Sequence, residues 1–97
     1  MTQFVDAEDV AAIACKQALA DAGATNIRIV TDGALRCCVS LNPMPKGWTW
    51  QASVSRNGKP VSAMEAIQVA SRFVPQSLKV AGVDRQQHAV HVWFCGG

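Results

Sequence analysis

Residues 48–56 read WTWQASVSR, and no other stretch limits the fold of this chain so tightly. Trp48, Trp50, Ala52 and Val54 alternate with Thr49, Gln51, Ser53 and Ser55. Successive side chains of an extended strand point to opposite faces, so this period of two predicts a strand with one apolar and one hydrophilic face. The hydrophilic row carries no charge, as expected of a sheet face turned to water. LRCCVSL (35–41) alternates in the same way, with Leu35, Cys37, Val39 and Leu41 opposite Arg36, Cys38 and Ser40. HAVHVWFC (88–95) sets His88, Val90, Val92 and Phe94 against Ala89, His91, Trp93 and Cys95.

The remaining elements follow from caps and turns. Residues 6–22 read as a helix with Asp6 as N-cap, Asp9 three residues on, and a Val5–Val10 staple; Gly23 supplies the left-handed stop. Its apolar side, Ala11, Ala14, Cys15, Ala18, Leu19 and Ala22, is small enough to lie close on a sheet, which predicts a buried Cys15. NIRIV (26–30) reads as a strand and Asp32-Gly33 as a tight hairpin. NPMPKG (42–47) reads as a loop, because prolines do not serve an inner ladder. Asn57-Gly58 is a second turn, and Ser62 with Glu65 forms a capping box that opens a helix over 63–74. Pro75 kinks or ends that helix, and PQSLKVAG (75–82) reads as a further turn or two with Gly82 as its stop. The order is therefore α-β-β-β-α-β. It predicts an α+β two-layer sandwich with one four-stranded, mainly antiparallel sheet, both helices on one face and the other face open. The whole chain, 1–97, makes one domain.

Composition narrows the classes of function. With 49% hydrophobic and 16% charged residues, the chain belongs among folded globules. No apolar run reaches the length of a membrane span, and MTQFVDAEDV lacks the basic start and apolar core of a secretory signal, which points to the cytoplasm. Cys15, Cys37, Cys38 and Cys95 then read as reduced thiols, some of them small core hydrophobes. The net charge of +2 is uneven. Asp6, Glu8, Asp9 and Asp21 oppose Lys16 alone over residues 1–24, while eight Lys and Arg oppose three acids over 25–97.

Metal and catalytic chemistry find no constellation. His88 and His91 point oppositely on a strand, and His91 and Cys95 share a face but stand about 13 Å apart at about 3.3 Å per residue. A zinc ion needs converging ligands, so no metal or cofactor is expected. A Cys38–His91 nucleophile pair requires their strands to be neighbours and has no orienting acid. Phosphate loops, serine elbows and motif-set paired acids are absent, and the chain reads as a non-enzyme.

Binding is what remains. Arg28, Arg36, His91 and Trp93 are expected to share the open sheet face, where Trp93, Val30 and Cys38 add apolar surface. The expected partner is a protein: the chain is read either as a homodimer joined through a sheet edge or face, or as itself a stoichiometric inhibitor of a larger machine, as small phage-encoded proteins often are. Nucleic acid is the alternative, through Arg28, Arg36 and Trp93. The order α-β-β-β-α over 6–74 is similar to that of double-stranded RNA-binding domains, and the resemblance implies phosphate contacts from the start of the second helix. That helix opens SAMEAIQ here, where those domains carry a lysine cluster. The ending FCGG resembles that of ubiquitin-like and sulfur-carrier proteins, which implies a carrier role for Gly96-Gly97.

Overall fold

The computed structural model describes residues 10–21, 23–24, 26–44 and 47–96. Its elements are α1 (Val10–Asp21), β1 (Arg28–Asp32), β2 (Leu35–Met44), β3 (Gly47–Arg56), β4 (Lys59–Pro60), α2 (Ala63–Ala70), β5 (Leu78–Arg85) and β6 (Val90–Gly96). The sheet has six strands, not four. Its order is β1-β2-β3-β6-β5, every pairing is antiparallel, and the two-residue β4 pairs with the end of β3.

Local chemistry sets the boundaries. Gly23, at φ 85°, stops α1 as expected, and Gly23 N–H and Ala24 N–H donate back to Ala20 O and Leu19 O. The Asp6 cap, Asp9 and the Val5–Val10 staple lie outside the described residues, as do the side chains of Ala11, Ala14, Ala18 and Ala22. The first hairpin turns on Gly33-Ala34, with Asp32 opposite Leu35; Gly33 (φ 62°) occupies the position where a II′ turn takes glycine. Asn57 and Gly58 both have positive φ, as a type I′ turn requires. Ser62 caps α2, its Oγ accepting from Glu65 N–H at 3.1 Å. The α-helix ends at Ala70 rather than 74; tight turns donated by Arg72 and Phe73 N–H carry the chain on to Val74.

Two segments differ from expectation for identifiable reasons. β2 extends through Pro43, which lies opposite Trp48. β1 reaches only to Val39, so beyond that point β2 is an edge and a proline costs no ladder bond on its open side. Pro45 and Lys46, in the expected loop, lie outside the described residues. Of residues 75–82, read as a further turn or two, 78–82 belong to the strand β5 instead. Here Val80 pairs with Phe94 and Gly82 with Trp93, leaving Ala81 as the extra residue of a bulge.

The helices lie on opposite faces of the sheet, which overturns the two-layer reading. Leu35, Cys37, Val39, Ala52, Val54, Val90, Val92 and Phe94 pack with Ala66, Val69 and Ala70 of α2 and with Val61 and Val74. On the other face Cys38 packs with Cys15 and Leu19 of α1, with Ala24, Ile27 and Ile29 against them. Ser53 and Ser55, expected in water, are fully buried there. Ser53 Oγ donates to Cys15 O at 2.6 Å, and Cys15 Sγ donates to Ser53 O at 3.1 Å. Hydroxyls in that row are thus not a solvated surface. They let a helix backbone approach closely while keeping polar atoms paired. Ser55 Oγ is buried without a partner among the described residues.

Candidate functional site

Each helix covers about half of its face. α1 sits over β2 and β3, and α2 packs chiefly on β3, β6 and β5. Among the described residues, two opposite quadrants are left without a helix: the β6–β5 half on the α1 side, and the β1–β2 half on the α2 side.

The first quadrant holds two of the expected binding residues, and the ladder shows how they are arranged. One row across the sheet runs Ile29, Cys38, Ser53, His91, Asp84. The next runs Ser40, Gln51, Trp93, Gly82. Cys38 and His91 are therefore two strands apart, with Ser53 between them, and do not form the neighbouring pair considered from the sequence. His91 is 8% exposed; its Nε2 lies 3.0 Å from Gln51 Oε1, and the imidazole meets the Trp93 ring at a centroid distance of 5.1 Å. With Gln51 Oε1 as acceptor, Nε2 carries the proton. Burial holds the His91 ring below its ordinary value, with the Asp84 charge opposing in part, so the imidazole is neutral at pH 7. Trp93 lies across β5 because Gly82 has no side chain; a β-carbon there would collide with the indole. This quadrant is filled by its own aromatic, and its hydrogen bonds are satisfied internally.

Arg36 shares that face, opposite Ser55, and its guanidinium donates to Gly33 O and Leu35 O, so it braces the hairpin. Cys38 is fully buried and offers no docking surface. Arg28 does not share the face at all. It pairs with Val39 and so points to the α2 side. The expected cluster of Arg28, Arg36, His91 and Trp93 is split between the two faces. A two-residue hairpin at 33–34 pairs even-numbered residues of β1 with odd-numbered residues of β2, whatever their charge.

The second quadrant is a groove of about 530 Å³ lined by Asn26, Arg28, Val30, Val39, Trp50, Arg72, Phe73 and Val74. Its floor is apolar: Val39 and Val74 are buried, and Val30 and Trp50 pack against the main core. Phe73 is 37% exposed at its side. Arg28 and Arg72 are exposed, and among the described residues neither guanidinium has a hydrogen bond or an ion pair. The contrast is Arg56, which is paired with Glu65. Sequence reasoning noted Val30 as docking surface and Arg28 as a binding residue, but assigned both to the wrong plane. It missed Arg72 and Phe73, placing both inside the helix expected over 63–74. Only the early end of α2 turns them to the groove.

Among the described residues, no three His, Cys, Asp or Glu side chains converge on a metal position, and no helix is long and apolar enough to cross a membrane. Comparison with protein-family models, with curated proteins and with solved structures gives no significant match.

Proposed function

We propose that this domain is a non-catalytic binding module that receives an acidic, partly apolar segment of a protein partner in the groove between β1, β2 and the end of α2. One observation carries the reading: two guanidiniums without partners among the described residues, Arg28 and Arg72, stand on the rim of an apolar floor made by Val30, Val39, Trp50 and Val74. Small recognition sites have this composition, a hydrophobic lining with a few charged groups that fix orientation. Arginine suits the task because its planar fork takes a carboxylate through two hydrogen bonds. Among the described residues no strand pairs with the outer edge of β1, which runs along the groove, so an extended segment could add to the ladder there and send alternate side chains onto the floor. The β5 edge is less receptive, being broken by its bulge and lined with Lys79, Asp84 and Arg85. A cytoplasmic setting and an inhibitory or accessory role accord with this reading.

Nucleic acid is the second reading, since Trp50 and Phe73 beside two arginines could stack a base. Three of the four floor residues, Val30, Val39 and Val74, are aliphatic, which favours a protein segment over a flat base. The test is selection of random-sequence peptides displayed on phage against the immobilised domain, followed by affinity measurement. Enrichment of acidic residues spaced with apolar ones is expected. The double variant Arg28→Glu, Arg72→Glu should weaken the selected peptide by about 2 kcal/mol or more, close to 30-fold. Failure to enrich, or indifference to the charge reversal, would remove the groove from consideration. Tight binding of single-stranded oligonucleotides that collapses between low and physiological salt would give the site to nucleic acid.

A further inference from the structure

We propose that Cys15 and Cys38 form a dithiol site that a hydroperoxide oxidises to a disulfide, fastening α1 to the sheet. The two come from different elements, α1 and β2, and both are fully buried in one small cluster with Leu19 and Ala24. Cys15 Sγ lies 2.9 Å from Ser53 Oγ and 3.6 Å from Arg36 O. Ser53 is the residue directly opposite Cys38 in the β2–β3 ladder, and Arg36 precedes Cys38 by two on the same face. The Cys15 sulfur is therefore held against the part of β2 from which the Cys38 side chain rises. The two thiols are chemically unlike. A hydrogen bond from Cys38 holds Cys15 below the ordinary thiol value, with further help from Ser53, whereas Cys38 is pushed up because it donates that bond and is buried. In the packed state both sulfurs keep their protons, Cys15 donating to Ser53 O, and Cys15 ionises when α1 lifts from the sheet, as an accessible thiol does in part near neutral pH.

The chemistry balances with a hydroperoxide as oxidant. The Cys15 thiolate attacks the peroxide O–O bond, an S–O bond forms, and the distal oxygen leaves as water or an alcohol, taking up the proton that Cys15 released. Cys38 then attacks the Cys15 sulfenic sulfur. The S–S bond forms, the S–O bond breaks, and the hydroxyl departs as water with the Cys38 proton. Two electrons pass from the thiols to the peroxide. Because both sulfurs are buried, the first step waits on excursions of α1 away from the sheet. Cys37 is excluded as the partner. It points to the α2 side, and burial pushes its thiol up to about 12.

The test uses the full chain with the exposed Cys95 replaced, Cys95→Ser, so that intermolecular links do not confuse the result. Hydrogen peroxide is added under native conditions and the product is read by mass, tryptic mapping and thermal melting. Loss of two hydrogens is expected, with an intramolecular link that fragmentation places between Cys15 and Cys38. A melting temperature that rises on oxidation and returns with dithiothreitol is also expected. Adding Cys15→Ala should abolish both the link and the rise. The mapping needs no second variant, so it stands even if that one fails to fold. Linkage through Cys37, oxygen gain on Cys15 without a disulfide, or three unchanged thiols after peroxide exposure longer than the α1 hydrogen-exchange time would each overturn the proposal.

Discussion

Truncation of Phe94 to alanine is expected to destabilise the domain by about 3–5 kcal/mol. Phe94 is 2% exposed, is among the largest fully covered side chains, and lies on β6 between Trp50 of β3 and Val80 of β5. Removing its ring takes away apolar burial and leaves a cavity that three hydrogen-bonded strands cannot close. Domains of this size hold only about 5–15 kcal/mol in all, so the variant should be largely unfolded in moderate urea. Urea unfolding followed by tryptophan fluorescence gives the number. A loss below about 1 kcal/mol would mean that the core is not centred on β6.

The second large effect is at Ser53. Replacement by valine should cost about 2–4 kcal/mol, although valine is the better strand former. The hydroxyl is fully buried and donates to Cys15 O at 2.6 Å, so its loss leaves a buried carbonyl without that donor. The added methyl also presses on Cys15 Sγ, which already lies 2.9 Å from Ser53 Oγ. The same substitution on a water-facing row would change stability by about 0.5 kcal/mol or less. Chemical denaturation of Ser53→Val therefore discriminates between a covered and an open α1 face.

That contrast shows what the sequence disclosed and what it withheld. Period-two alternation placed β2, β3 and β6 and divided correctly the side chains described there, at 35–40, 50–55 and 90–95. The paired positive-φ turn at Asn57-Gly58 and the Ser62–Glu65 cap were also legible, because their chemistry is local. β5 was hidden by one residue: Ala81 bulges out, so Leu78 and Val80 fall on one parity and Val83 on the other. The side of the sheet taken by α1 was hidden for a different reason. A serine row suits either water or a closely packed helix, and an alanine-rich helix face fits either side of a sheet. Arg28 was within reach of sequence logic, since turn length alone fixes its parity; its charge suggested the polar row and register overruled it. Arg72 and Phe73 became visible only through the end of α2 at Ala70.

The location of the groove follows from how the helices divide the sheet. α1 and the Trp93–Gly82 pairing occupy one face, and α2 leaves the β1–β2 half of the other face uncovered. Binding should therefore register at Trp50 and not at Trp93. The most direct measurement is a nitrogen-15 NMR titration of the domain with a selected acidic peptide, watching the indole N–H of each tryptophan. The Trp50 resonance, with the Arg28 and Arg72 side-chain N–H signals, is predicted to move in proportion to occupancy while Trp93 stays in place. Movement of Trp93 and His91 with Trp50 unchanged would put the partner on the α1 face and contradict the account.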